Sequence, residues 1–294
     1  MSTKSRPDAS ALIHGTTWRA VSLGSKLAFL ALIVPRTVPG EYGLFFSYSS
    51  LALLVSRILS FGAIDHLPTL VRGDYGAMRR AVTDVAPITV TAIATTGVAA
   101  AIESPLAAAL ALALSMASGL MLAGAVRSVW PAWFERWLNL HPVLLLILAL
   151  LLGMHVNARE LLLCQSGAIL LSQLVFARAA TVGHAFPRAG DHPVWSSRMT
   201  AMLKGGQSRM ASDVLVAGCI RGVAISPLLF GSGAVSDSVA LALALGEAVW
   251  TIGMILVHRN FSYYCASGPD LRAEPSRRWN DRHAAPTAGS DESG

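Results

Sequence analysis

Long apolar stretches separated by short polar segments run along most of this chain. Eight stretches approach or exceed the about 20 mostly apolar residues that a membrane helix needs. They cover residues 15–35, 43–65, 82–102, 105–126, 140–156, 160–178, 210–230 and 236–257. These runs are too long for strands and lack the strict alternation of a half-buried strand. The pattern therefore predicts an all-α fold, a polytopic membrane helix bundle of about eight transmembrane helices.

Composition narrows the class of protein. Hydrophobic residues make up 53% of the chain and charged residues 14%, with a mean hydropathy of +0.54. Soluble globular proteins carry roughly 25% charged residues, so a water-soluble enzyme and a disordered chain are both excluded as descriptions of the whole. The net charge of +6 would suggest nucleic acid in a soluble protein. In a membrane protein it indicates basic cytoplasmic loops, and no nucleic-acid partner is expected.

The distribution of Lys and Arg predicts the orientation. Of the 23 Lys and Arg residues, 17 fall in the tails, in the segments 66–81, 127–139 and 179–209, or at their boundaries. The opposite loops contain only Arg36 and Arg159. Cytoplasmic loops carry the excess of cations. We therefore expect a multi-pass protein of the bacterial inner membrane with both termini in the cytoplasm.

A few ionisable residues lie inside the apolar stretches, where each costs about 2.5–3.5 kcal/mol on insertion scales. The cations well inside are Lys26, Arg57 and Arg221, and the acids are Asp213 and Glu247. Cations lining a hydrated cavity suit an anionic headgroup such as a phosphate or diphosphate. The alternative is that Arg57 and Arg221 form structural pairs with Asp213 or Glu247. No CxxC or HExxH pattern occurs, so neither a metal site nor another cofactor is expected.

Two regions of the chain carry motifs that point to a known family. The first is a helix starting near Gly15-Thr16-Thr17-Trp18, followed by Pro35-Arg36-Thr37-Val38-Pro39-Gly40-Glu41-Tyr42-Gly43-Leu44. The second runs from Lys204-Gly205-Gly206 through Asp213 to Gly231-Ser232-Gly233-Ala234. The first resembles the start of polysaccharide flippases of the Wzx type, in the multidrug/oligosaccharidyl-lipid/polysaccharide flippase superfamily, and the second resembles the seventh and eighth helices of that family.

The resemblance implies a division of the chain into parts. Residues 1–180 would form a six-helix first lobe, 181–209 a cytoplasmic loop and 210–258 two further membrane helices. Residues 259–294 are rich in Pro, Ser, Gly, Asp and Arg, and their composition predicts a disordered cytoplasmic tail. Family members have 12 to 14 helices in two lobes, so most of a second lobe is lacking. A homodimer, a second subunit, a degenerate relative and a truncated product would each account for this difference.

The resemblance also implies a function, which is translocation of a lipid-diphosphate-linked oligosaccharide across the inner membrane by alternating access. Lys26 and Arg57 fall in the first two helices and Arg221 in the seventh, where relatives place cavity cations. Asp213 and Glu247 are candidates for ion coupling or for charge partners of these cations. No catalytic residue is expected, because an enzyme of glycan assembly would need an acidic or histidine cluster in a sizeable loop. Two competing functions stay open: a non-transporting accessory subunit of a polysaccharide export system, and an exporter of another fold.

Overall fold

The structure is a computed structural model that describes residues 9–71, 75–181, 195–231 and 233–266. Its helices are α1 (Ala9–Leu32), α2 (Glu41–Leu59), α3 (Ala63–Val71), α4 (Tyr75–Ala101), α5 (Pro105–Arg127), α6 (Pro131–Leu151), α7 (Ala158–Thr181), α8 (Trp195–Leu229) and α9 (Asp237–Ala266), with a 3-10 turn at Val34–Arg36. The described residues contain no strand, which confirms the all-α prediction.

Several of these helices are long and apolar enough for a membrane helix bundle. Among the described residues, five stretches are of sufficient length and apolarity to cross a bilayer: Thr17–Arg36, Glu41–Val71, Tyr75–Ala101, Pro105–Arg127 and Gly205–Leu229. A shorter apolar stretch, Arg136–Leu151, lies in α6. The count of eight spans stays a prediction.

Local sequence signals explain several helix starts. Ser104 caps α5, where its Oγ accepts a hydrogen bond from the Ala107 N–H at 3.4 Å, and Pro105 follows at the first helical position. Asn157 and Glu160 form a reciprocal capping box at the start of α7, with bonds of 2.9 and 3.0 Å. These caps fix the positions at which the chain reverses.

The predicted second span, 43–65, is interrupted in the structure. Phe61 and Gly62 both have positive φ, at 48° and 66°, and they separate α2 from α3. At this break the chain passes close to α8, since a Cβ on Gly62 would lie 2.8 Å from the Gly206 carbonyl oxygen. Apolarity alone predicts a continuous helix here and misses this close approach of two backbones.

Two predicted boundaries fall inside longer helices. The segment 181–209 is predicted as a cytoplasmic loop, but its residues from Trp195 onward belong to α8. The last helix continues to Ala266, eight residues past the predicted end of its membrane part at 258. The rest of the predicted tail, 267–294, lies outside the described residues.

Helix α5 is the centre of the bundle. It packs on α2, α3, α4, α6 and α7, and most of its side chains are buried. Its composition explains this position, because a run of Ala, Ser and Gly lets neighbouring backbones approach closely. At Gly124, a Cβ would overlap the Ala63 carbonyl of α3.

Contacts between hairpins define two ends of the bundle. At one, here called the Gly40 end, the Val38 N–H donates to the Val156 carbonyl at 3.2 Å, and the Arg159 Nε donates to the Ile102 carbonyl at 3.0 Å. At the other, the Asp65 end, Arg127 pairs with Asp65 at 3.1 Å. Helices α8 and α9 lie against α2, α8 also against α3 and α9 also against α1.

Candidate functional site

An ion pair joins α8 to α9 at about the middle depth of the bundle. The Arg221 Nη2 lies 2.7 Å from the Glu247 Oε2, and the two side chains are 19% and 33% exposed. Arg221 stands eight residues before the end of α8 and Glu247 ten after the start of α9. At 1.5 Å per residue, both are roughly 12–15 Å from the Gly40 end. This depth is close to the midplane of a hydrocarbon core that is about 30 Å thick.

Arg221 of this pair also contacts two side chains of α2. The Arg221 Nη1 donates to the Ser50 Oγ at 3.2 Å, and the Arg221 Cζ lies 5.0 Å from the centroid of the Phe46 ring. The buried Ser50 hydroxyl donates in turn to the Phe46 carbonyl at 2.7 Å. The guanidinium is therefore held by a carboxylate, a hydroxyl and an aromatic face, an arrangement that suits Arg better than Lys.

Lys26 adds a second cation beside the pair. Its exposed side chain lies within electrostatic range of both Glu247 and Arg221. In the part of the chain that the structure describes, no carboxylate comes within ion-pair distance of its ammonium. The carboxylate of Glu247, whose charge acts on Lys26, is in contact with Arg221 instead. We call Lys26, Arg221 and Glu247, with Ser50 and Phe46, the Lys26 site. Its three charged groups sum to one excess positive charge.

Arg57 belongs to a different location. The Arg57 Nη1 lies 3.8 Å from the Asp213 Oδ2, and the two side chains are about a quarter exposed, at 27% and 24%. Arg57 is seven residues after Ser50 on α2, which places it about 10 Å nearer the Asp65 end. The three cations predicted for one cavity therefore fall into two groups: Lys26 and Arg221 lie with Glu247, and Arg57 lies with Asp213.

Residues Pro39–Gly43, part of the Pro35–Leu44 motif, form hydrogen bonds with other helices at the Gly40 end. The Asp237 carboxylate of α9 accepts the Gly40 and Gly43 N–H groups, each at 2.7 Å. The Glu41 carboxylate accepts the N–H of Ala158 at the start of α7, also at 2.7 Å. Carboxylates at helix N-termini are stabilising, so this motif joins the starts of α2, α7 and α9. Sequence reasoning missed Asp237; its position at the start of the last apolar run was the available signal.

Most hydroxyls in the helices serve the backbone, as the default interpretation of Ser and Thr in membrane helices predicts. Thr91 donates to the Pro87 carbonyl and Thr95 to the Thr91 carbonyl, both at 2.9 Å. A second role links three helices: the Ser166 Oγ of α7 lies 2.8 Å from the Thr96 Oγ1 of α4 and 2.7 Å from the Ser115 Oγ of α5. These bonds link α4, α5 and α7 and lie outside the Lys26 site.

No metal site emerges from the described residues, where no group of three or more His, Cys, Asp and Glu side chains lies close enough to hold an ion. Comparison with known proteins adds no assignment. No family model, no curated protein and no solved structure matches this chain.

Proposed function

We propose that this chain is a multi-pass transport protein of polysaccharide biosynthesis in the inner membrane, and that it translocates a lipid-diphosphate-linked oligosaccharide by alternating access. The observation that carries the proposal is the excess positive charge of the Lys26 site at mid-depth. An unneutralised ammonium there is costly in hydrocarbon, and an anionic headgroup would neutralise it.

In this proposal both termini of the chain lie in the cytoplasm. The support is that the Lys and Arg residues that the sequence assigns to opposite sides of the membrane also lie at opposite ends of the bundle. Arg36 and Arg159 belong to the Gly40 end, whereas Arg127 belongs to the Asp65 end with Asp65. The cation-rich Asp65 end is the cytoplasmic one in this proposal.

The proposal includes a partner on the outer faces of α8 and α9, either a second copy of this chain or another subunit that completes a second lobe. On α8, this interface would include the exposed apolar residues Leu215, Val216, Ile220 and Val223. Cys219 is exposed on the same helix. A homodimer through this face predicts a Cys219–Cys219 crosslink on mild oxidation of membranes, and its absence from Cys219→Ser membranes is the control.

Anion binding is tested on purified protein in phosphatidylcholine nanodiscs, with farnesyl diphosphate as the probe. Removal of the ammonium in Lys26→Gln should weaken binding by about tenfold or more, since a charged hydrogen-bonding group contributes about 1.5–3 kcal/mol. Arg36→Gln removes a cation at the Gly40 end and should leave affinity unchanged. Farnesol should not bind, because it lacks the phosphates, and equal binding of wild type and Lys26→Gln would contradict the proposal.

Transport is tested separately in proteoliposomes, by following a prenyl-diphosphate-linked N-acetylglucosamine from one leaflet to the other. Wild-type protein should move it and Lys26→Gln should not.

A second function, a non-transporting accessory subunit, is favoured by one observation. Arg57 and Arg221 each already have a carboxylate within 4 Å, from Asp213 and Glu247 respectively. In that case the pair Arg221→Glu with Glu247→Arg should restore whatever the single reversals destroy. For an anion-binding site, the exchanged pair should restore folding without restoring farnesyl diphosphate affinity, because the cation then stands on a different helix.

A further inference from the structure

We propose that Glu247 is an exchangeable counter-ion: a phosphate group entering the Lys26 site displaces its carboxylate from Arg221 and thereby uncouples α8 from α9. This inference rests on the proposed function and specifies how occupation of that same site is communicated to the helices around it.

The contact between the two side chains is of a kind that can be exchanged. Arg221 offers one nitrogen, Nη2, to Glu247 and another, Nη1, to Ser50. This single contact lacks the two parallel bonds of a bidentate Arg–carboxylate pair, which is the stronger arrangement. A phosphate has more oxygens and more charge than a carboxylate, and in this proposal it contacts both Arg221 and the ammonium of Lys26.

The carboxylate is also accessible. The Glu247 side chain is 33% exposed and that of Arg221 is 19% exposed, so protein packing does not enclose the contact on all sides. The neighbouring Lys26 is exposed as well. Once a phosphate bridges Lys26 and Arg221, the Glu247 carboxylate next to it is repelled, because like charges at close range repel each other.

The fold permits this exchange without loss of packing. Helix α8 is held by α2 and α3, and α9 by α2 and α1. Breaking the Arg221–Glu247 contact therefore removes a side-chain link between α8 and α9 while each keeps its own packing surface. The Asp237 bonds to Gly40 and Gly43 keep the start of α9 fixed on α2, so movement is confined to the part of α9 beyond them.

The direction in which affinity changes separates two roles of Glu247: competing with phosphate for Arg221, and only orienting Arg221. If the carboxylate competes with phosphate, Glu247→Gln should bind farnesyl diphosphate about tenfold more tightly than wild type, because the competing charge is removed. Glu103→Gln, which removes an exposed carboxylate between α4 and α5, should leave affinity unchanged. If Glu247 only orients Arg221, Glu247→Gln should bind more weakly, and that result overturns the inference.

A distance measurement tests the uncoupling directly. Spin labels at Val216 of α8 and Val249 of α9 stand on exposed positions of the proposed partner face, outside the Lys26 site, and dilution with unlabelled protein restricts the measurement to label pairs within one chain. Farnesyl diphosphate should change their separation in wild type, and Glu247→Gln should show the changed separation without ligand. Inorganic diphosphate should produce the same change if the phosphate chemistry alone suffices, whereas a response to the prenyl form alone assigns the ligand to lipid. An unchanged distance in all arms overturns the inference.

The outcomes also separate this inference from the proposed function. Binding by wild type without a gain in Glu247→Gln overturns the exchange alone. Absence of binding by both proteins overturns the proposed function and the exchange with it. If Glu247→Gln does not fold, Glu247→Asp retracts the carboxylate by one methylene, and it should bind more tightly than wild type; weaker binding overturns the exchange.

Discussion

At the scale of single residues, the positions that most constrain this bundle are small ones at backbone crossings. A Cβ on Gly43 would overlap the Val235 carbonyl before α9, and one on Gly206 would overlap the Phe61 carbonyl. Such close approaches bring α2 against α8 and α9, and so place the Lys26 site. Gly43 therefore acts through packing as well as through its N–H bond to Asp237.

A matched pair of glycine substitutions tests this view. Gly43→Ala should lower stability by about 1–3 kcal/mol, the usual cost of overpacking a filled site. Gly97→Ala lies on α4, where a Cβ meets nothing within 4 Å, and it should raise stability by up to about 1 kcal/mol through helix propensity. Thermal unfolding of the detergent-solubilised protein measures both. Equal shifts for the two variants would show that the Gly43 crossing is not tightly packed.

At the scale of helices, hydrogen bonds between side chains hold α4, α5 and α7 in register. Ser166 contacts both Thr96 and Ser115, and Gln173 of α7 donates to the Ser115 carbonyl at 2.8 Å. Because lipid provides no hydrophobic driving force between helices, such bonds and close packing are what associates them.

Loss of the central hydroxyl should be measurable. Ser166→Ala should destabilise the protein by about 0.6–1.7 kcal/mol, the range for interhelical hydrogen bonds in membranes. Ser226→Ala is the control, because the Ser226 hydroxyl donates to the Val223 carbonyl of its own helix and should have a much smaller effect. A lowered unfolding temperature for Ser226→Ala as large as that for Ser166→Ala would argue against the three-helix link.

Apolar run length predicts that the chain is helical, because burial in lipid or protein demands apolar residues along the whole element. It does not predict where the helices begin and end: α8 begins at Trp195, 15 residues before the predicted span at 210. Nor does it predict the break at Phe61–Gly62, where the chain passes close to the α8 backbone, more than 140 residues away in sequence. The charges inside the runs were predictable as a set. Their division into Lys26–Arg221–Glu247 and Arg57–Asp213 was not, because it depends on how α1, α8 and α9 are arranged around α2.

At the scale of the whole molecule, the alternation of hairpins between the two ends predicts a topology. Reporter fusions after residues 66, 104, 158, 233 and 262 should read inside, outside, outside, outside and inside. The physical reason is the retention of Lys and Arg on the cytoplasmic side. A periplasmic signal after residue 262 would contradict eight crossings with both termini inside.

The most direct test of the central claim asks whether Lys26 faces a hydrated anion site within the bundle. Lys26→Cys is prepared in a background lacking Cys164, Cys219 and Cys265, with Val216→Cys on the exposed apolar face of α8 as the control. A charged, membrane-impermeant thiol reagent should label position 26 and not 216. At a concentration that saturates the Lys26→Cys protein despite its weaker affinity, farnesyl diphosphate should slow labelling at 26, because Arg221 still contacts the ligand. Absence of labelling at 26, or labelling that the diphosphate leaves unchanged, would contradict the account.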